Sequence, residues 1–395
     1  MTWTQKTISE LGRVVTGKTP DTSNADYFAG EFPFVTPSDI DYSNYYCQRT
    51  ERFVSEAARE KHKNQFLPKD SVMFTCIGNT IGKCAITSTD SLTNQQINSV
   101  VANEQNDAKF IYYCLTNSVQ SIRQLGGGAA TPIINKTAFE SISFRVPAGD
   151  IQRRIADILS TYDDLIENNC RRMALLEESA RLLYREWFVR LRFPGYEHTP
   201  IVDGVPQGWQ SKTLGDLCSD IRDMVLPEAL EPDTPYIGLE HIPRRSISLN
   251  EWGTAAEVTS SKSRFKAGEI IFGKIRPYFH KVGIAFVDGV ASSDAIVVRP
   301  ADDTLHSLVL MTMSSDEFVA VTAQQMKEGS KMPRADWKQM KAYSVPLPPS
   351  GLLSNFDSVI QPIVEQLKTL SFTNQKLRTA RDLLLPRLMS GELAV

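Results

Sequence analysis

The chain holds few of the residues from which catalytic centres are usually built. Its five histidines, His62, His198, His241, His280 and His306, show no metal-ligating spacing such as H-E-x-x-H. No Gly-x-Ser-x-Gly elbow, no Asn-Pro-Pro-Tyr-like segment for amino-methylation and no glycine-rich cofactor loop occurs. The six cysteines, Cys47, Cys76, Cys84, Cys114, Cys170 and Cys218, include no Cys-x-x-Cys pair. They read as free thiols of a reducing compartment, neither a disulfide frame nor a zinc site. No apolar run approaches the roughly 20 residues needed to cross a bilayer, and Met1–Lys6 lacks the regions of a signal peptide. These absences predict a non-catalytic, cytoplasmic protein with no metal, no cofactor of its own and no membrane contact.

A large charge imbalance is also missing. The net charge of −3 excludes a chain that coats nucleic acid by bulk attraction. Charge is local instead. Lys262–Lys281 carries six Lys or Arg against Glu269, a balance of +5, and Gln324–Lys341 carries five against Glu328 and Asp336, a balance of +3. Either run alone is as easily a solvated face. Together, beside Tyr278, Phe279 and Trp337, they suggest a surface for phosphates and bases.

What is present is a duplication. Trp3–Ile8 returns as Trp209–Leu214, Lys69–Phe74 as Ala267–Phe272, and Gly128–Pro132 as Gly329–Pro333, at offsets of 206, 198 and 201. A period near 200 is too long for a solenoid unit and marks a duplicated domain pair. Short β-rich runs such as Phe32–Val35, Ser71–Thr75, Ile270–Phe272 and Ile296–Val298 sit between turn residues, and a helix is expected from Phe110 to about Leu125. Each copy closes in a long helical pattern, Ile151–Arg192 and Leu352–Leu393. Apolar residues at 3.5-residue spacing put Ile155, Tyr162, Leu165, Asn169, Leu176 and Leu183 on one stripe, and Phe356, Ile363, Leu367, Leu370, Leu377 and Leu384 on the other. Ile158 falls on the first stripe and Asn374 on the second, where a buried amide can fix register. Pro362 kinks the second helix or marks its start. The expected class is α+β: two mostly-β domains (1–150 and 196–350), joined by two long helices (151–195 and 351–395) paired as an antiparallel coiled coil.

Gly12–Thr19 matches the P-loop pattern G-x-x-x-x-G-K-[ST] letter for letter. A working P-loop needs a helix opening directly behind it. Pro20-Asp21-Thr22-Ser23-Asn24 follows instead, and an ATPase is disfavoured.

Several stretches then carry a family resemblance. Leu11-Gly12-x-Val14-Val15-x-Gly17-Lys18-Thr19-Pro20 with Phe32–Ile40 resembles the opening of a target-recognition domain of type I restriction–modification specificity subunits. Ile270–Tyr278 resembles the mid-domain segment of the same family, and Val146-Pro147 followed by Ile151-Gln152-x-x-Ile155-x-x-Ile158-Leu159 resembles its junction from domain to helix. The second junction, Pro348–Leu353, departs from the pattern by lacking the glutamine. The resemblance implies a non-catalytic subunit that reads a split, asymmetric site on double-stranded DNA. It further implies two adenine methyltransferase subunits and restriction/translocase subunits as partners, with S-adenosylmethionine, ATP and Mg bound only by those partners. A DNA-free helical scaffold carrying two protein-binding modules is the alternative. DNA contacts are expected at Asn79, Thr80, Lys83, Ala130, Thr131 and Lys136 in the first copy. In the second they are expected at Lys274, Arg276, Tyr278, Lys281, Ser330, Lys331 and Arg334.

If the helices act as a ruler, one heptad inserted into both, near Leu176 and Leu377, adds about 10 Å, close to three base pairs of DNA rise at roughly 3.4 Å each. Surviving methylation should then fall on sites whose unread gap is longer. Sequencing the modified positions checks this, and methylation at the original gap would count against the ruler.

Overall fold

Apolar runs bounded by turn residues form the strands expected of them. The computed structural model describes residues 2–41, 45–47, 50–127, 132–202, 204–324 and 333–395, apart from the side chain of Glu257. Val72–Thr75 is central to a five-stranded sheet ordered Gly12–Thr16, Ile97–Ala102, Val72–Thr75, Cys84–Thr87, Tyr46–Cys47. All neighbours are antiparallel except the last pair. The second copy repeats this order with Cys218–Ile221, Ala295–Pro300, Ile270–Gly273, Val282–Ala285 and Ser248–Leu249, again with a parallel last pair. The central strands are apolar on both faces because both are covered. Val72 and Phe74 share a core with the helix Ala108–Asn117, while Met73 packs among Val35, Ile40 and Leu67.

A second sheet lies beside each first one. The parallel pair Phe32–Val35 and Leu92–Thr93 recurs as Pro235–Ile237 and Gly289–Ala291. The second copy adds Lys262–Phe265 to this sheet, where the first has the isolated bridge Leu67↔Ser91. Each copy's ends are tied by an antiparallel pair, Thr4–Thr7 with Ser143–Val146 and Gln210–Thr213 with Ser344–Leu347. The helix expected from Phe110 to Leu125 is two helices, Ala108–Asn117 and Val119–Leu125. Asn117 and Ser118 are weak helix formers, which favours a break there.

The central helix runs from Gly149 to Tyr184 and passes into a π-helical turn, Arg185–Val189. The C-terminal helix runs from Ser350 to Ser390. Pro362 therefore lies inside it and does not start it. Pro349 O accepts from both Leu352 N and Leu353 N, closing the first turn, and the buried Leu353, Phe356 and Ile360 hold that turn to the core. At the first junction Gln152 does the anchoring. It is buried, donates to Asn106 Oδ1 and Pro147 O at 3.0 Å each, and accepts from Asp107 N.

Two compact units result, Met1–Asn168 with Asn374–Val395, and Asn169–Thr373. Each takes a portion of both helices, and the portions run antiparallel. In the first unit Ile155 and Leu159 share a core with Leu388 and Met389, and Asp163 meets Arg381. In the second, Phe188 packs on Phe356 at 4.8 Å, and Met173 shares the core with Leu370.

The buried face of the central helix differs from the expected stripe. Leu165 is 46% exposed and Ile158 38% exposed, while Tyr162, Leu176 and Leu183 are half-buried. Ile155 and Asn169 are buried as expected, but the rest of the seam runs through Leu159, Asp163, Ile166, Met173, Glu177 and Ala180. Two carboxylates stand in it, so a pattern that turns every charge outward places the face one residue away. On the C-terminal helix Phe356, Leu367, Leu370 and Asn374 are buried, and Ile363, Leu377 and Leu384 half-buried.

Both carboxylates are partnered. Asp163 accepts from the hydroxyl of buried Tyr113 and from the Arg381 guanidinium. Burial pushes its carboxyl above the usual carboxylate range, and Arg381 and Tyr113 oppose that rise. Glu177 accepts from the Ser246 and Ser248 hydroxyls at 2.7 Å each and pairs with Arg181. Arg381→Ala would strand a buried carboxylate and should cost roughly 3 kcal/mol or more of stability. Asp163→Leu with Arg381→Met and Tyr113→Phe, which removes every member of the network, should recover most of it. Denaturant unfolding of the full chain measures both, and a single variant within about 0.5 kcal/mol of wild type would show that the pair is not an anchor.

Candidate nucleic-acid interface

After its central strand each copy makes the same tight turn, at Ile77–Lys83 and at Ile275–Lys281. Thr75 N donates to Lys83 O at 3.0 Å, and Gly273 N to Lys281 O at 2.8 Å. Gly78 N donates to Pro132 O at 2.8 Å, and Arg276 N to Pro333 O at 2.9 Å. The isolated bridges Ile77↔Ile133 and Ile275↔Arg334 complete the match. Two residues of each turn are left-handed: Gly78 (φ 57°) and Gly82 (φ 98°), against Arg276 (φ 50°) and His280 (φ 54°). The turns thus bring residues far apart in sequence to one place in each copy.

On this shared backbone the side chains diverge. The first turn presents Asn79, exposed, and Thr80, half-buried with its hydroxyl on Ile77 O. Across the bridge stands Ile133, 58% exposed. The second presents exposed Arg276 and Tyr278, the latter 52% exposed, and across its bridge Arg334. Arg334 pairs with Asp294 at 3.2 Å. The Phe279 ring carries the Arg244 guanidinium 4.0 Å from its centre and that of Arg276 at 5.9 Å. Beside Arg334 an open cleft of about 510 Å³ is lined by Arg222, Lys274, Ser293, Asp336 and Trp337 among others.

Several expected contact residues are turned to the protein. Lys83 Nζ donates to Pro37 O at 2.9 Å, and its counterpart Lys281 donates to Leu239 O. Lys274 Nζ donates to Ser293 O at 2.8 Å. Burial lowers the Lys274 and Lys281 ammonium groups below the usual lysine range; Asp294 opposes the shift at Lys274, and Arg244 adds to it at Lys281. Lys262, from the same basic run, is buried with its Nζ on Ser260. The run therefore is not one continuous cationic face. Lys136 is half-exposed and pairs with Glu140 at 3.5 Å. Ala130, Thr131, Ser330 and Lys331 lie outside the described residues. Sequence reasoning missed Ile133 and Arg244, which only the bridge and the ring stacking bring to the turns.

The P-loop-like segment is a strand. Gly12–Thr16 pairs with Ile97–Ala102, and the backbone N–H groups of Gly17 and Lys18 donate to Ile97 O and Thr93 O. The chain then passes through a turn to a 3-10 helix at Ala25–Phe28. Donors that would cradle a phosphate are already used. Among the described residues no group of three or more His, Cys, Asp or Glu is placed to hold a metal ion, and no helix is long and apolar enough to cross a membrane.

The same-fold, different-surface pattern agrees with comparisons against known proteins. A family model, the type I restriction modification DNA specificity domain, matches residues 1–178 and again 206–379. The chain belongs to this family. It is 25% identical over 419 aligned residues to the type I restriction enzyme MjaIX specificity subunit of Methanocaldococcus jannaschii, covering all of this chain and 94% of that one. It is 30% identical over 174 residues to the HindI specificity subunit of Haemophilus influenzae, covering 42% of this chain and 38% of that one. Its fold is similar to the crystal structure of the type I restriction–modification S subunit from M. genitalium, with a TM-score of 0.59, 16% identity, and coverage of 98% and 96%. As a DNA specificity subunit, the chain recognises sequence for its restriction–modification system and is not an enzyme.

In this specificity subunit the paired lysines act first as loop clamps. Lys281→Met should lower stability by roughly 1 kcal/mol or more through the lost charged hydrogen bond. The slope of log affinity for DNA against log salt should move by less than the roughly 0.9 expected of one phosphate contact. Titration at several salt concentrations tests this, and a full unit of slope would make Lys281 a phosphate ligand.

Proposed function

We propose that this specificity subunit reads a bipartite, asymmetric site on duplex DNA, one half-site per copy. The observation that carries the reading is the pair of matched turns. Backbone, bridges and left-handed positions coincide, yet one turn offers amide, hydroxyl and apolar groups and the other offers guanidinium and phenol. Identical scaffolds with different exposed chemistry would read different bases. Of the expected contacts, Asn79, Arg276, Tyr278 and Arg334, with Thr80 and Lys136, would meet DNA, a reading supported by the exposure of the first four. Two adenine methyltransferase subunits would flip and modify the target bases, and restriction/translocase subunits would join them. S-adenosylmethionine, ATP and Mg would stay on those partners.

Replacing residues 1–150 with the corresponding domain of a relative should change one half of the methylated site and leave the other intact. Sequencing methylated positions after the exchange decides it. Both halves changing together would end the two-reader reading, and a reconstituted complex that binds no duplex, specific or not, would favour a DNA-free scaffold.

A further inference from the structure

We infer that Arg276 is a base-reading residue of the second copy, and that the half-site of that copy contains a guanine which Arg276 recognises through its major-groove edge. The inference rests on the DNA-reading role proposed above and adds a residue and a base to it.

The starting point is a backbone conformation that arginine has no reason to choose. Arg276 sits at φ 50°, where its counterpart in the first copy is Gly78 at φ 57°. A side chain in this region crowds the neighbouring backbone, whereas glycine enters freely. The first copy shows that this turn can be built with glycine, with the same hydrogen bond to the proline carbonyl. The fold therefore does not require a side chain at this position, and the second copy carries one despite the strain. Strain of this kind persists where it serves a site.

The other left-handed positions that are not glycine have explanations within the protein. Leu191 (φ 56°) directly follows the cap of the π-helical turn, where a helix commonly ends in this conformation. His280 replaces Gly82, is buried, and its Nε2 lies 2.8 Å from Ser314 O. Arg245 (φ 55°) is held to Asp316 at 2.9 Å. Asp70 (φ 65°), opposite Gly268 (φ 90°), is of a residue type that tolerates the region. Arg276, exposed like Arg245 and Asp70, makes no ion pair with a described carboxylate; its guanidinium lies 5.9 Å from the centre of the Phe279 ring, beside Arg244 and Tyr278. The flanking cations favour approach of the phosphate backbone. A planar fork of N–H donors on a short rigid turn suits the O6 and N7 acceptors of guanine, the commonest specific contact of arginine.

The test uses the subunit reconstituted with the methyltransferase subunits of its own system. The half-site of the second copy is first assigned by the domain exchange. Duplexes are then made with each guanine of that half replaced in turn by 7-deazaguanine, which lacks the N7 acceptor. At one position the wild-type complex should bind roughly 5- to 150-fold more weakly, while Arg276→Gly should be indifferent to the same replacement. Arg276→Lys should keep the salt dependence and lose the discrimination. Arg276→Gly should melt no lower than wild type, since glycine already serves the first copy. The inference is overturned if Arg276→Gly is as sensitive as wild type at every guanine, if it weakens all sequences equally, if that half-site holds no guanine, or if the variant melts several degrees lower. A wild-type complex that distinguishes no duplex from another would sink the DNA-reading role itself, and this inference with it.

Discussion

Both units depend on burying a seam of two long helices in the same core that holds one face of the sheet and the shorter helix lying on it. Ile155, Leu159 and Leu388 lie in the same core as Val72, Phe74 and Phe110, and Phe188, Phe356 and Leu367 lie in the same core as Ile270, Phe272 and Leu310. Sheet and helices are therefore not separable layers. Removing the seam would uncover the apolar side chains of this shared core, at a cost of roughly 25 cal/mol for each Å² exposed. The seam is specified as well as stabilised. Asp163 and Glu177 sit two heptads apart and reach quite different partners, a tyrosine and an arginine in one unit and two serine hydroxyls in the other. Because a buried carboxylate is tolerable only with its own donors, each is a positional lock.

The recognition surfaces are built outward from that support. The central strand of each sheet is apolar on both faces and well anchored, and the turn that follows inherits its rigidity. Lysine clamps, Lys83 on Pro37 O and Lys281 on Leu239 O, tie the turn to the neighbouring loop in both copies. What remains variable is the outward side chain at a handful of positions. A duplicated scaffold of this kind lets two surfaces diverge without renegotiating the core, since residues such as Gly78 and Arg276 bear no packing load that the other copy cannot supply.

Much of the architecture was legible because its signals are local or repeated. The duplication appears as short similar patterns in the same order, the strands as apolar runs between turn residues, the long helices as a heptad stripe, and the buried Asn169 and Asn374 as amides on that stripe. The P-loop match could be set aside from sequence because Pro20 follows it, and Gly12–Thr16 indeed pairs as a strand. Family-like stretches such as Ile151-Gln152 were also visible, although the role of Gln152 in binding the Asn106 side chain and Pro147 O was not.

Sequence alone determined the main apolar strands, the two long helices, and that two similar domains carry different side chains, because each of these depends on periodicity or on nearby residues. Only the tertiary structure decided which way each charge points. Lys262, Lys274 and Lys281 read as one basic run with Arg276, yet the three lysines turn to backbone carbonyls while Arg276 faces solvent. Likewise Asp163 and Glu177, hydrophilic by any scale, occupy the helix seam and turn it away from Leu165. A charge is buried or exposed according to whether a partner group, often tens of residues away and in one case 218, reaches it in three dimensions, and no local pattern records that partner.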